Sequence, residues 1–311
     1  MNDVLKILDR LLKKKGYVIK KHSEYNLLPL QNLQNNPSLK MTYEAFDKKE
    51  KTAISDNVSR LNICLRTCIN KKRARHNYNE LTGVAIDEHL LKCVHSLIIS
   101  INKAVKNNKV IKLTVFDDRS DSVSLEKINS LLNILKCDWE IVKTESTGQG
   151  NSLYEHFNFA REKNSLFYFC EDDYLHIPEA INEMVDFYQG VYKEISAHLL
   201  IHPQEHELIY SQINYPSYIL EGQNRRWRTI SHATHTFFTH SSVVDKYWEY
   251  FGNTKYVGHK QKRHLGSEKQ TTDKLFNHIL GFSPIPAVAV HLQSKDSLPP
   301  FFNWENTWND I

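Results

Sequence analysis

The chain has 311 residues, 41% of them hydrophobic and 24% charged, with a formal net charge of +4. This is ordinary globular composition for one large domain or two, and so small a charge gives no argument for a nucleic-acid partner. No apolar stretch approaches the roughly 20 residues needed to cross a bilayer, and the amino terminus lacks a signal-peptide core. A soluble, cytoplasmic protein is expected. The five cysteines, Cys64, Cys68, Cys93, Cys137 and Cys170, are odd in number and contain no Cys-x-x-Cys pair, which reads as reduced thiols.

The segment from Asp3 to Leu12 places Val4, Leu5, Ile7, Leu8, Leu11 and Leu12 on one helical face and ends at Gly16. Lys13, Lys14 and Lys15 suit its carboxyl end. Residues 23–58 are polar and without period, so residues 1–58 read as an amino-terminal extension. Its helix could dock on the main domain, pair two chains into a homo-oligomer, or make peripheral membrane contact. Two basic clusters, Lys13 to Lys21 and His259 to His264, fit solvated surface; the second would also suit a pyrophosphate.

From Leu61 strands alternate with helices. Strands are expected at Leu61–Leu65, Val110–Phe116, Trp139–Val142 and Leu166–Cys170, and helices at Ile86–Val105, Leu125–Leu135, Leu153–Arg161 and Ala180–Tyr188. That alternation argues for an α/β fold with a mostly parallel sheet covered on both faces. Beyond residue 190 the pattern loosens. Thr236–Phe238 suits a strand, Val243–Tyr250 a helix, Thr272–Leu280 a helix closed by Gly281, and Ala287–His291 a buried strand.

The strand at Leu166–Cys170 stops abruptly in Glu171, Asp172 and Asp173. Clustered acids raise one another's pKa, and a divalent cation would relieve that cost, with a phosphate on its far side. Other strand ends are polar too: Arg66-Thr67, then Asp117-Asp118-Arg119-Ser120-Asp121, and His291. In a parallel sheet such ends converge on one edge, where open α/β sheets bind ligands. Taken alone, Asp117 and Asp118 fit a helix start, and His291 fits a satisfied core histidine. Thr147-Gly148-Gln-Gly150 lacks the third glycine of a dinucleotide fingerprint.

The order Arg-Thr, Val-Phe-Asp-Asp-Arg-Ser-Asp, the Thr147 to Asn158 segment, and Phe-Cys-Glu-Asp-Asp-Tyr resembles the nucleotide-sugar half of a GT-A fold glycosyltransferase, most like family 2. The resemblance covers about residues 60–295. It implies a GT-A domain over 59–311, with a nucleotide-sugar half at about 59–190 and an acceptor half at about 191–311. Arg66, Thr67, Asp117, Asp118, Asp121 and Asp172 would bind the nucleotide sugar. Glu171, Asp173 and His291 would hold Mn²⁺ or Mg²⁺. The partners would be a nucleotide-diphosphate sugar donor and a glycan or other hydroxyl acceptor. In an inverting transfer one further carboxylate takes the acceptor's proton, for which Asp273 and Glu268 stand near a helix start. Asp273 equally fits the helix end itself.

Three departures from the family pattern stand out. Arg119 occupies the usual glycine, Arg-Thr-Cys replaces Pro-Thr-Tyr, and the Glu-Asp pair expected near the proton acceptor is not intact. His232 and His235, three apart, have loop-like surroundings that suit acceptor contact better than zinc. Two other classes remain open: a nucleotidyltransferase, which would need a glycine where Asn70-Lys-Lys-Arg-Ala-Arg stands, and an inactive sugar-nucleotide-binding protein.

Overall fold

The structure, a computed structural model, describes residues 8, 11–12, 14–15, 56–70, 79–145, 148–205, 217–255, 266–299 and 302–311. Most of the expected first helix, most of the segment at 23–58 and the basic cluster at His259 to His264 lie outside the described residues. Strands β1 (Arg60–Thr67), β2 (Val110–Asp117), β3 (Asp138–Lys143) and β4 (Leu166–Glu171) pair parallel in the order β3-β2-β1-β4. Helix α1 (Asn79–Thr82) and the long α2 (Ile86–Lys106) connect the first two strands. Helices α3 (Ser122–Leu132) and α4 (Gln149–Phe159) make the next two crossovers. A parallel pair requires such a crossover, because a tight turn can only reverse the chain.

The chain continues through β5 (Tyr174–His176), α5 (Ala180–Ile195), β6 (Leu199–Ile201), β7 (Ile219–Glu221), β8 (Arg226–Ile230) and β9 (Phe237–His240). Helices α6 (Ser241–Lys246), α7 (Trp248–Gly252) and α8 (Thr272–Leu275) precede β10 (Leu280–Ile285) and β11 (Ala289–His291), and α9 (Trp304–Asn309) follows. The main sheet has nine strands and extends from β4 in the order β9-β6-β10-β8-β7. Here β9 runs antiparallel to β4 and β6, and β8 antiparallel to β10. This is a mixed α/β architecture whose first half is wholly parallel.

Alternation along β4 shows why both sheet faces are covered. Leu166, Tyr168 and Cys170 join a core with α2 and α5, whereas Phe167 and Phe169 join a second core with Leu153 and Phe157 of α4 and Phe251 of α7. A strand buried on both sides therefore reads as one continuous apolar run. The aromatic core is tight: Phe157 lies 5.0 Å from Phe169 and 4.9 Å from Phe251, centroid to centroid.

Several boundaries differ from the sequence reading, each for a local reason. Helix α3 begins three residues early because Asp121 caps it, its side chain accepting from Ser124 N at 2.8 Å. Helix α5 runs to Ile195, well past Tyr188, because Val191, Tyr192 and Ile195 also pack against the core. The expected helix at Val243–Tyr250 is instead two short helices meeting at Tyr247. The helix expected over Thr272–Leu280 stops at Leu275, and Gly281 lies inside β10 rather than capping it. The ring of Phe276 lies over Gly281; a Cβ there would come within 2.0 Å of Phe276 Cε1. The five cysteines form no disulfide. Among the described residues no helix is long and apolar enough to cross a membrane.

Four histidines are buried as neutral rings. Burial pushes His156 and His176 down to about 3, and His89 and His240 to about 4. Their hydrogen bonds fit neutral imidazole: His156 Nε2 meets the Cys64 carbonyl at 2.6 Å, and His176 Nε2 the Tyr168 hydroxyl at 2.9 Å. Each folded pKa lies below its unfolded value. The unfolded chain therefore takes up protons that the native state refuses, and stability falls as pH drops. Urea midpoints measured across pH 7 to 4 should decline below about pH 6.5, by on the order of 1 kcal/mol per ring per pH unit; a flat profile would show that these rings charge readily in place. Gly281→Ala should cost about 1–3 kcal/mol in the same assay, because the Phe276 ring must move off a packed strand.

Candidate active site

The carboxyl ends of β1, β2 and β4 lie side by side because the strands pair in register. Thr67 stands opposite Asp117, and Arg66 opposite Glu171. Residues in register project from the same face of a sheet, so each polar strand end meets a counterpart. Thr67 Oγ1 donates to Asp117 Oδ1 at 3.0 Å. On the opposite face Arg66 forms an ion pair with Glu171 and donates to Ser152 Oγ, in the first turn of α4, at 3.3 Å.

The remaining carboxylates of this edge are also held by named donors, as buried charges must be. Asp117 Oδ2 accepts from Ser120 N at 3.2 Å. Asp118 accepts from Gly148 N at 3.2 Å and from Arg119 Nε at 2.7 Å. Asp172 Oδ2 accepts from Cys68 N at 2.8 Å, tying the β4 end to the β1 end. Arg66, Thr67, Asp117, Asp118 and Asp172 thus share one edge, while the Asp121 side chain serves the start of α3.

Of the three residues considered for a cation, the structure brings two together. His291 is not in the main sheet. Its strand β11 pairs antiparallel with β5, in a register that sets His291 beside Tyr174, one residue past Asp173. The imidazole stacks on the Tyr174 ring at 4.9 Å with planes 2° apart, and His291 Nε2 meets Asp173 Oδ2 at 3.0 Å. Burial works against a charged His291 ring. Asp173, through its charge and hydrogen bond, outweighs this with help from Glu171 and Glu268, and the pKa rises to about 9. Glu171 turns instead to Arg66. A carboxylate beside an imidazole is a donor set suited to Mn²⁺, so Asp173 and His291 fit a cation that takes the place of the shared proton.

The two carboxylates near the start of α8 each meet a histidine of the connection between β8 and β9. His232 Nδ1 lies 2.6 Å from Asp273 Oδ2, and the Ala233 amide donates to Asp273 Oδ1 at 3.2 Å. His235 Nδ1 lies 3.5 Å from Glu268 Oε1, and its Nε2 meets Thr271 Oγ1 at 2.9 Å. The two histidines therefore partner two separate acids, and the paired-ligand arrangement set aside for them in the sequence does not form. The same connection reaches the strand edge: Thr236 Oγ1 accepts from Glu171 N at 3.2 Å, and Thr234 Oγ1 meets the Tyr174 hydroxyl at 2.8 Å. Tyr174, directly after the acidic triplet, was open to notice in the sequence; Ser152, Thr234 and Thr236 carry no local signal.

Among the described residues one set of three has its potential ligand atoms within 4.8 Å of one another: Asp56, His198 and His240. It lies at the opposite end of the sheet, where β6 begins and β9 ends. The two imidazoles stack with centroids 4.2 Å apart and planes 3° apart. Parallel stacked planes do not intersect, so one ion cannot lie along both in-plane lone pairs. A cavity of about 450 Å³ between α5 and the β7–β8 hairpin, floored by Phe187 and Trp227, also lies outside the strand-end site.

A family model described as "Glycosyl transferase family 2" matches residues 77–248, just over half of the chain. No curated protein sequence matches significantly. Among solved structures, S. aureus TarS 1-349 is similar at 11% identity and a TM-score of 0.43, over 72% of this chain and 60% of that one. UDP-glucose pyrophosphorylase complexed with UDP-glucose is similar at 10% identity and a TM-score of 0.44, over 80% and 98%. Inositol-1-phosphate CTP transferase from T. maritima follows at 14% identity and 0.40, over 82% and 96%. The chain spans 60% of the TarS segment's length.

Arg119 shows what its departure from glycine costs. Its φ is +64°, in the left-handed region where an L side chain pays roughly 1–2 kcal/mol and glycine pays little. The compensating Asp118 ion pair involves a half-exposed guanidinium and is worth under about 1 kcal/mol. Arg119→Gly should therefore leave the unfolding free energy level or raise it by up to about 1 kcal/mol, after the added freedom of the unfolded chain. A fall of more than about 1 kcal/mol in denaturant melts would mean that the Asp118 pair outweighs the strain.

Proposed function

The chain belongs to glycosyl transferase family 2, and from that premise we propose a metal-dependent, inverting transfer of a sugar from a nucleotide-diphosphate donor to an acceptor hydroxyl. The observation that carries the metal-dependent part is the Asp173–His291 pair at the carboxyl edge of β4, beside Arg66, Asp117 and Asp118. The nucleotide-sugar half at about 59–190 supplies the donor site, and the half at about 191–311 faces the acceptor.

Asp117, Asp118 and Thr67 line the floor on which a base and ribose rest, held by Ser120, Gly148 and Arg119. Asp172, anchored on the Cys68 amide, reaches the ribose or sugar. Asp173 and His291 hold the divalent cation, with Glu171 at its border. When bound, such a cation stabilises the negative charge on the departing diphosphate as a Lewis acid. Arg66, already ion-paired to Glu171, adds a fixed positive group on the same edge. The reaction breaks the bond between the anomeric carbon and the diphosphate oxygen, whose electron pair leaves with the diphosphate. The acceptor oxygen forms the new bond from the opposite face and gives up its proton to a base in the segment around Glu268 and Asp273.

Calorimetric titration with UDP, GDP, CDP and dTDP sugars, with and without Mn²⁺, tests this reading. One donor class should bind only with the metal present. Asp173→Asn should weaken that binding roughly 10- to 100-fold with little change in melting temperature. Binding of nucleoside triphosphates alone, indifferent to Asp173, would instead indicate nucleotidyl transfer.

A further inference from the structure

We propose that His232, with Asp273 behind it, is the group that takes the acceptor hydroxyl's proton, and that Asp273 is a positioning residue rather than the base. The inference rests on the glycosyl-transfer reading above and names a residue which that reading leaves open.

The argument begins with what Asp273 is already doing. One of its oxygens accepts the Ala233 amide at 3.2 Å, and the other lies 2.6 Å from His232 Nδ1. An ionised carboxylate can only accept, so the imidazole carries its proton on Nδ1. The ring's basic lone pair is then on Nε2. A carboxylate that fixes an imidazole tautomer and balances the charge formed on it is a recurrent solution to general-base catalysis. Asp273 is steadied in turn from its own helix, because Thr272 Oγ1 donates to the Ala233 carbonyl at 3.0 Å. The Ala233 peptide is therefore gripped at both its N–H and its C=O by consecutive residues of α8.

Exposure and neighbours distinguish this pair from its companion. The His232 side chain retains 24% of its exposure, enough for a substrate to reach it. His235 retains 4% and has both ring nitrogens engaged, one facing Glu268 and the other Thr271. Burial lowers its pKa, against the pull of Glu268 and Glu171. His235 thus braces the connection, and His232 presents a working face. The connection also touches the donor edge, through Thr234 on the Tyr174 hydroxyl and Thr236 on the Glu171 amide. Tyr174 stacks on His291. The charged and titratable groups around the pair are Asp273 on α8, Glu268 on the preceding turn and His235 on the same connection.

The step balances simply. The acceptor oxygen forms its bond to the anomeric carbon as the diphosphate departs with its electron pair. The hydroxyl proton moves to His232 Nε2, and the resulting imidazolium is neutralised by Asp273.

Two measurements on the full chain test the assignment. The first is donor-sugar hydrolysis by water, followed across pH. His232→Gln should lower the rate roughly 10²- to 10⁴-fold and remove the rising limb of the pH profile, while donor affinity stays within about twofold. Asp273→Asn should keep donor affinity and lose rate through the wrong tautomer. If His232→Gln keeps both rate and limb while Asp273→Asn abolishes turnover, Asp273 is the base and the proposal is overturned. The second needs no substrate: modification of His232 by diethyl pyrocarbonate, read by peptide mass spectrometry. Wild-type His232 should react at neutral pH, and Asp273→Asn should slow that reaction several-fold. An inert His232, or a rate that ignores Asp273, overturns the proposal even if no nucleotide sugar binds. Failure of donor binding with an intact Asp273-dependent labelling rate would count against the glycosyl-transfer reading alone.

Discussion

The site depends on the register of β1 between its two parallel neighbours. With Arg66 opposite Glu171 and Thr67 opposite Asp117, two polar pairs close on opposite faces of the sheet at one edge. A slip of one residue would turn every one of these side chains to the other face. It would also drive Leu65 and Cys64 into the wrong cores. The same apolar alternation that fills both cores therefore fixes the polar geometry, and core packing and site geometry are one constraint.

The second half of the chain works differently. Its strands are short and mixed in direction, and what they contribute to the edge arrives on connections. The β8–β9 connection carries His232 and His235 to the acids before and within α8. It also carries Thr234 and Thr236 to Tyr174 and Glu171. The small β5–β11 sheet then folds His291 back over Asp173. A rigid parallel half holding one set of groups and a looser half delivering the others is the division expected where one substrate is held by the scaffold and a second is brought to it.

Cationic groups on this edge answer a crowded set of acids. Arg66 meets Glu171, Arg119 meets Asp118 and His291 meets Asp173. Asp117 and Asp172 rely on hydroxyl and amide donors. Pairing lets so many carboxylates be buried together without mutual repulsion pushing them neutral. It also defines what a bound cation or phosphate has to rearrange: the Asp173–His291 contact gives way to the cation, whereas the Arg66–Glu171 contact can persist beside it.

The sequence by itself determined the alternation of strands and helices from Leu61 to Tyr188, and with it the parallel half and its polar strand ends. Those features follow from local periodicity and from where each apolar run stops, which neighbouring residues encode. It also marked position 119 as unusual, although the left-handed backbone that makes it so became visible only in the fold. What only the tertiary structure decided is which acid meets which base. Glu171 with Arg66, Asp273 with His232 and Glu268 with His235 are separated by 105, 41 and 33 positions along the chain, and no period or spacing carries such information. Short strands such as β6, β7 and β11 were likewise invisible or uncertain in sequence. Three residues are too few to show a period, and their place is set by the edges they complete.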